Sequence, residues 1–97
     1  MATALTAEEI QEALGTLKGW SREGEALAKT FQFGGFREAF SFMTRVALEA
    51  EVLNHHPDWT NVYSRVSVRL STHEAGGRVT ARDVELARKI QQISWVG

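Results

Sequence analysis

The stretch FREAFSFMTRVALEAEVLNHHP, residues 36–57, decides the fold. Apolar residues recur in it at steps of three and four, the period of a helix with one buried side; they are Phe36, Ala39, Phe40, Met43, Val46, Ala47, Ala50 and Leu53. Pro57 lacks a backbone N–H and disfavours helical geometry at the residue before it. The pattern therefore predicts a helix of about five turns that ends near Leu53 or Asn54.

This helix carries more apolar residues than one stripe accounts for, because Phe42, Leu48 and Val52 lie outside the stripe. Such an excess is typical of a helix that also contacts a second protein chain. It is equally compatible with contacts to a sheet or to neighbouring helices of the same chain. The sequence leaves both interpretations open.

Two shorter helices are predicted near the ends of the chain. Thr6 and Glu9 have the spacing of a capping box, which predicts a helix from about Ala7 to Thr16. Thr80 and Asp83 mark another helix start. The apolar face of this last helix consists of Val84, Ala87, Ile90 and Ile93.

Strands are predicted on both sides of the long helix. Before it, glycines and alternating residues favour a short strand around Trp20, a turn near Gly24 and a strand over residues 26–33. After it, one side of the segment 58–73 is apolar, with Val66, Val68 and Leu70, and the other side is polar, with Arg65, Ser67, Arg69 and Ser71. A turn around Tyr63 and Ser64 divides this segment into two strands, or it forms one bent strand.

The order helix, two strands, long helix, two strands, helix predicts an α+β fold. It is a four-stranded antiparallel sheet with three helices packed on one face, in a single domain over residues 1–97. The other sheet face would carry Arg65 and Arg69. A small sheet with open edges is suited to extension across a dimer.

Charge and composition argue against several classes of function. The net charge of −1 gives no field that attracts nucleic acid or an anionic membrane. The absence of cysteine excludes disulfides and thiolate zinc sites. We find neither a signal peptide at the N-terminus nor an apolar run long enough to span a membrane. A cytoplasmic protein without direct nucleic-acid or membrane contact is therefore expected.

All three histidines lie where predicted elements end, and side chains in such places can converge on a cleft. His55 and His56 follow the long helix, and His73 follows the last strand. Imidazole titrates near neutrality, so a group of three rings is suited to proton transfer. Glu51, one helical turn before His55, could orient or charge that ring. The alternative is that the histidine pair simply terminates a helix.

Other chemistries have weaker support in the sequence. The histidines and nearby carboxylates could bind zinc in principle, but adjacent residues of a helix face different ways and no H-x-x-x-H or H-E-x-x-H spacing occurs. We therefore predict no metal site. No G-x-S-x-G elbow and no phosphate-binding glycine loop is present. The three tryptophans are interpreted as packing residues, with Trp59 as the one that could wall a flat ligand.

Specific motifs add a family resemblance to this interpretation. The segments NHHPDW (54–59), NVY (61–63) and STHEAGG (71–77) occur together, with LTAEEI, GW and RDVELARKI elsewhere in the chain. In these motifs the sequence closely resembles the pterin-4a-carbinolamine dehydratases, whose mammalian members are also called dimerisation cofactor of a homeodomain transcription factor. The segment between His73 and Asp83 is one residue longer than the resemblance leads us to expect, which affects the loop beside the pocket.

The resemblance implies the same α+β fold and a reaction that needs no metal and no organic cofactor. Water is removed from a 4a-hydroxytetrahydropterin, giving a quinonoid dihydropterin, and pterin is thereby recycled after aromatic amino acid hydroxylation. The resemblance implies His55, His56 and His73 as catalytic residues. It also implies a substrate-binding set around them that consists of Glu51, Asn54, Ser71, Thr72 and Glu74.

The resemblance also implies partners and leaves alternatives. A homodimer or homotetramer is expected, together with a small-molecule pterin substrate and, as in the mammalian members, a regulatory protein partner. The alternative functions are a non-catalytic oligomerisation or co-regulator protein, and a dehydratase that acts on another pterin, including molybdopterin.

Overall fold

The structure is a computed structural model that describes residues 2–95. Helices and strands follow one another in the predicted order. They are α1 (Ala7–Leu14), β1 (Ser21–Glu23), β2 (Ala26–Gln32), α2 (Phe36–Leu53), β3 (Asp58–Val62), β4 (Arg65–Leu70), a single 3₁₀ turn (His73–Ala75) and α3 (Ala81–Ile93). The predicted α+β fold is confirmed.

The four strands form one antiparallel sheet in the order β1-β2-β4-β3. β4 lies between β2 and β3, with Leu70 opposite Leu27 and Val68 opposite Trp59. β3 and β4 are separate strands joined at Tyr63 and Ser64, and Tyr63 adopts a positive φ of 53° there. The division at this turn is therefore confirmed, and the single bent strand is wrong.

The core lies between one face of this sheet and the helices. Alternate residues of the two central strands are buried, namely Leu27, Phe31, Val66, Val68 and Leu70, and they belong to the same apolar cluster as residues of α1, α2 and α3. On the opposite face Arg65 and Arg69 are exposed, as the alternation predicts. Arg69 there pairs with Glu23 of β1 at 3.0 Å.

The long helix begins and ends where the pattern predicts, and its buried side agrees in part with the predicted stripe. Ala39, Phe42, Val46 and Ala50 are buried, whereas Phe36 and Phe40 are 50% and 57% exposed. Phe42, which was placed outside the stripe, is fully buried and packs on Phe31 and Phe33. The helix is apolar on two sides, so periodicity alone could not identify the side that meets the sheet.

The shorter elements differ from the predictions by a few residues. α1 ends at Leu14 instead of Thr16, and β2 ends one residue before Phe33. Trp20 is buried and precedes β1. The predicted capping box at Thr6 is present, and Thr80 and Asp83 form a second one at the predicted helix start. Within residues 2–95, no helix combines the length and apolar character that crossing a bilayer requires.

Candidate active site

The end of α2 directs two adjacent histidines to different environments. Asn54 ends the helix in the left-handed conformation, with φ 51°, which asparagine tolerates better than most residues. The His55 backbone N–H then donates to the Ala50 carbonyl at 3.0 Å. After this reversal His55 is buried, with 7% of its surface exposed, whereas His56 lies on the surface.

His73 is held at the start of a short closed loop that follows β4. The loop is pinned at its base by the Thr72 N–H, which donates to the Arg78 carbonyl at 2.9 Å. Gly76 and Gly77 both have positive φ values, 72° and 81°, which glycine adopts without steric cost. The two glycines therefore let the chain turn back immediately after His73.

The three histidines line one cavity of about 310 Å³, a size in the range of small-molecule sites. Its lining is polar and comes from the end of α2, the loop after β4 and the start of α3: Asn54, His55, His56, Ser71, His73, Glu74 and Arg82. Six of these seven residues belong to the predicted site. Residues that lie far apart in the sequence thus line one cavity, as the sequence led us to expect.

A buried carboxylate that sequence reasoning did not include orients His55. Asp83 is fully buried, and its Oδ1 lies 2.5 Å from His55 Nε2. Its Oδ2 accepts from the Thr72 hydroxyl at 2.7 Å and from the Thr80 N–H at 2.8 Å. Three groups therefore converge on one carboxylate, which fixes the plane of the His55 ring.

Glu51 contacts a different histidine from the one expected. Its Oε2 lies 2.5 Å from Nε2 of His56, and both side chains are exposed. The expected partner, His55, is already bonded to Asp83. Glu51 does not line the cavity and acts on it only through His56.

Thr72 also differs from the expectation that it would line the pocket. It is fully buried, and its hydroxyl contacts Asp83 and Thr80 behind the His55 ring. The Thr72 side chain thus points away from the polar face where a ligand would sit.

Trp59 packs partly buried against the core and does not line the cavity, so it forms no wall for a flat ligand there.

Arg82 is a second residue that the sequence analysis missed. Its Nη2 donates to the Leu53 carbonyl at 3.1 Å and also to the Asn54 carbonyl, the free carbonyls at the end of α2. The cation thereby complements the negative end of the helix dipole. Arg82 and Asp83 follow a recognisable helix start, but no sequence signal relates that start to residues near position 54.

Other candidate sites are weaker. Among the described residues, no three histidine or carboxylate side chains are grouped so that they could hold a metal ion. Another groove, of about 350 Å³, lies between α1 and α3 and includes Leu5, Val84, Arg88 and Lys89. It contains no histidine, and its apolar floor offers no group suited to proton transfer near neutrality.

Known proteins are similar to this chain over nearly its whole length. The model of the family described as pterin 4 alpha carbinolamine dehydratase matches residues 3–93. A protein of Opitutus terrae is 66% identical over 97 residues, the full length of both chains. One of Bradyrhizobium diazoefficiens is 53% identical, covering 97% of this chain and 95% of its own. Both relatives are named, provisionally, as pterin-4-alpha-carbinolamine dehydratases.

Solved structures agree with these sequence matches. A Brucella melitensis protein described as a transcriptional coactivator/pterin dehydratase superimposes with a TM-score of 0.90 at 45% identity, covering 94% of this chain and 98% of its own. A pterin dehydratase-like protein, described as a RuBisCO assembly factor in the alpha-carboxysome, shares the fold with a TM-score of 0.68 at 20% identity, over 81% of this chain and 93% of its own. With its matched length, its fold and its relatives in agreement, the chain belongs to the pterin-4-alpha-carbinolamine dehydratase family.

Proposed function

We propose that this protein removes water from a 4a-hydroxytetrahydropterin, giving the quinonoid dihydropterin, by acid–base catalysis with histidine in pterin recycling. Membership of a dehydratase family supports the reaction class. The observation that carries the proposal is the convergence of His55, His56 and His73 on one polar cavity. Side chains that exchange protons near neutral pH are what this dehydration requires.

The chemistry needs two proton transfers and no covalent intermediate. The carbinolamine carries a hydroxyl at C4a, next to N5–H. A base takes the N5 proton, the nitrogen electron pair forms the C4a=N5 bond, and the C4a–O bond breaks as an acid protonates the leaving oxygen. Water and the quinonoid product result, and solvent exchange restores the protonation states of the two histidines.

We assign the proton transfers to His55 and His73 and substrate binding to His56. His55 is buried and held by Asp83, which suits a group that must keep one orientation. His73 is exposed and lines the same cavity from the loop after β4. Asn54, Ser71 and Glu74 supply polar groups for the edges of the heterocycle.

The test is the dehydration of synthetic 4a-hydroxytetrahydropterin, followed by absorbance against the uncatalysed reaction. His73→Ala should lower kcat by about 10²–10⁴-fold, the usual contribution of one acid or base group, with an unchanged melting temperature. His56→Ala is the matched comparison and should raise KM more than it lowers kcat. Equal rates for the wild type and His73→Ala would refute the proposal, as would inactivation by a chelator.

The preferred pterin is a finer part of the same proposal. In a host without an aromatic amino acid hydroxylase, the substrate would be a different pterin. A molybdopterin-type compound is one such substrate. The cavity is polar and opens to solvent at His56, His73 and Glu74, which are exposed. A panel of pterins that differ only in the C6 side chain, compared by kcat/KM, identifies the preferred class.

The exposed apolar residues of α2 favour a second role, in which the protein forms an oligomer and also binds another protein. Phe36, Phe40, Leu48 and Val52 are between 50% and 80% exposed and, with Thr44 at the centre, form a row of four-residue steps that winds slowly around the helix. Exposed apolar stripes of this kind mark interaction surfaces. The Brucella relative's description as a transcriptional coactivator is consistent with such a role for this chain.

We propose a second copy of this chain as the occupant of that stripe, because the stripe is complementary to itself. When two α2 helices pack antiparallel about Thr44, residues equally distant from Thr44 face each other. Phe40 then lies nearest the partner subunit's Leu48, whereas Phe36 and Val52 lie at the margins of the contact. Arg37 and Glu51 are each seven residues from Thr44, so opposite charges also meet.

A further inference from the structure

The hydrogen bonds behind His55 form a chain with one direction. The Thr72 hydroxyl donates its only hydrogen to Asp83 Oδ2. The Thr72 and Thr80 hydroxyl oxygens lie 2.7 Å apart, so Thr80 must be the donor in that contact. Thr80 in turn accepts from the Arg82 N–H at 3.3 Å. Every donor in the chain therefore points towards the Asp83 carboxylate.

This arrangement determines which atom of Asp83 remains for the histidine. Oδ2 already receives two hydrogen bonds, from Thr72 and from the Thr80 N–H at the start of α3. Two donors directed at the same oxygen suit a carboxylate acceptor. An ionised carboxylate can only accept, so His55 Nε2 at 2.5 Å must carry the hydrogen that it donates to Oδ1.

The other ring nitrogen of His55 faces the cavity. Nδ1 has no hydrogen-bond partner among residues 2–95, and no buried side-chain nitrogen or oxygen in that part of the chain lacks one. Nδ1 is therefore not a buried atom. Since His55 is only 7% exposed and lines the cavity, we take the exposed side of Nδ1 to face this cavity.

We propose that Thr72 and Thr80 are positioning residues that, with Asp83, hold His55 in the Nε2–H tautomer and leave Nδ1 as the proton acceptor for substrate. This inference rests on the proposed function and assigns the base within it. Nδ1 takes the N5 proton and becomes N–H, the ring becomes imidazolium beside the Asp83 carboxylate, and His73 donates the proton to the leaving hydroxyl. Thr72 thus acts on the reaction through His55 and without touching the substrate.

The experiment is ¹⁵N NMR of the histidine rings in the substrate-free protein, where long-range proton correlations identify the protonated nitrogen of a neutral ring. The His55 signals are assigned by their loss in His55→Gln. The wild type should show His55 protonated at Nε2. Thr72→Ser keeps the hydroxyl and should keep this signature and the dehydration rate.

Thr72→Val removes the hydroxyl at nearly constant volume. It should give a mixture of tautomers and lower kcat by about tenfold to a hundredfold, the effect known for losing an outer partner of a metal-bound histidine. A wild-type ring protonated at Nδ1 overturns the inference without any variant, so the test holds even if Thr72→Val fails to fold. A Thr72→Val protein with the wild-type spectrum and rate overturns it as well.

The two proposals fail in different ways. Because the spectra are recorded without substrate, a protein that shows the Nε2–H ring but does not dehydrate the pterin refutes the proposed function and leaves the tautomer assignment standing. An active dehydratase whose His55 is protonated at Nδ1 refutes the positioning role alone.

Discussion

At the scale of single residues, Asp83 has two structural tasks. It closes the capping box at the start of α3 and it holds His55. The same carboxylate therefore connects the stability of a helix with the orientation of a ring in the cavity. Removing its charge should affect both properties together.

Asp83→Asn tests this connection. The amide replaces one acceptor oxygen with a donor, so at least one buried group loses its partner, at a cost of about 1–3 kcal/mol. In a domain of this size each kcal/mol lowers the melting temperature by roughly 4–8 °C. Urea unfolding measures the change, and Asp58→Asn, at an exposed position of β3, is the control. Equal stability of Asp83→Asn and wild type would contradict the assignment.

Lys29 is a charged residue on the core face of the central strand β2. Its Nζ donates to the Lys18 carbonyl at 2.9 Å and to Gln91 Oε1 at 3.0 Å, and it lies 4.7 Å from the centre of the Phe31 ring. Burial, with a smaller contribution from the charge of Lys18, lowers the pKa of Lys29 below its ordinary value of 10.5. The folded protein thus binds this proton less tightly than the unfolded chain does.

The lowered pKa predicts a pH dependence of stability. Between the lowered pKa and 10.5 the unfolded chain binds more protons than the folded protein, so the contribution of Lys29 to stability rises with pH. The free energy of unfolding of the wild type relative to Lys29→Met should increase as the pH rises towards 10.5. The control is Lys89→Met, at an exposed lysine of α3. A difference that falls with rising pH would contradict the prediction.

At the scale of elements, α2 illustrates what could and could not be predicted from sequence. Its period and Pro57 fixed both ends, because helical geometry and proline chemistry act locally. Its buried side was predicted only in part, since Phe40 and Phe42 are equally apolar and only the sheet determines which one is covered. The sequence left open a turn or a bend at Tyr63 and Ser64, because serine is a common turn residue but a tyrosine with positive φ is unusual.

The self-complementary side of α2 predicts the behaviour of two charge variants. Arg37→Glu places like charges opposite each other in the proposed antiparallel pair, and Glu51→Lys does the same with the opposite sign. Each variant alone should dimerise more weakly than the wild type. Their mixture should form a heterodimer in which both contacts are again attractive, which mass measurement in solution can detect.

Arg45→Glu is the matched control for this experiment. Arg45 is an exposed arginine of the same helix, but its counterpart across Thr44 is the uncharged Met43. The same charge change there should leave the mixing result unchanged. Equal association of Arg37→Glu alone and in the mixture would refute the antiparallel pairing about Thr44.

At the scale of the whole molecule, the cavity exists only because three distant segments meet at one end of the sheet. The sequence motifs identified the histidines and most of their polar neighbours, since these residues lie beside one another in short segments. The partner of His55 lies 28 residues further along the chain, and no local pattern connects the two. Thr72 was expected to face the ligand because strand alternation does not reveal how the chain leaves the sheet at its end.

The account as a whole depends on two imidazole rings that exchange protons across this cavity. The variant His55→Gln/His73→Gln removes both rings and keeps an amide donor for Asp83, which limits the structural damage. We predict that the folded double variant dehydrates 4a-hydroxytetrahydropterin at least about 10²-fold more slowly than the wild type. A double variant that is folded and as fast as the wild type would contradict the central claim.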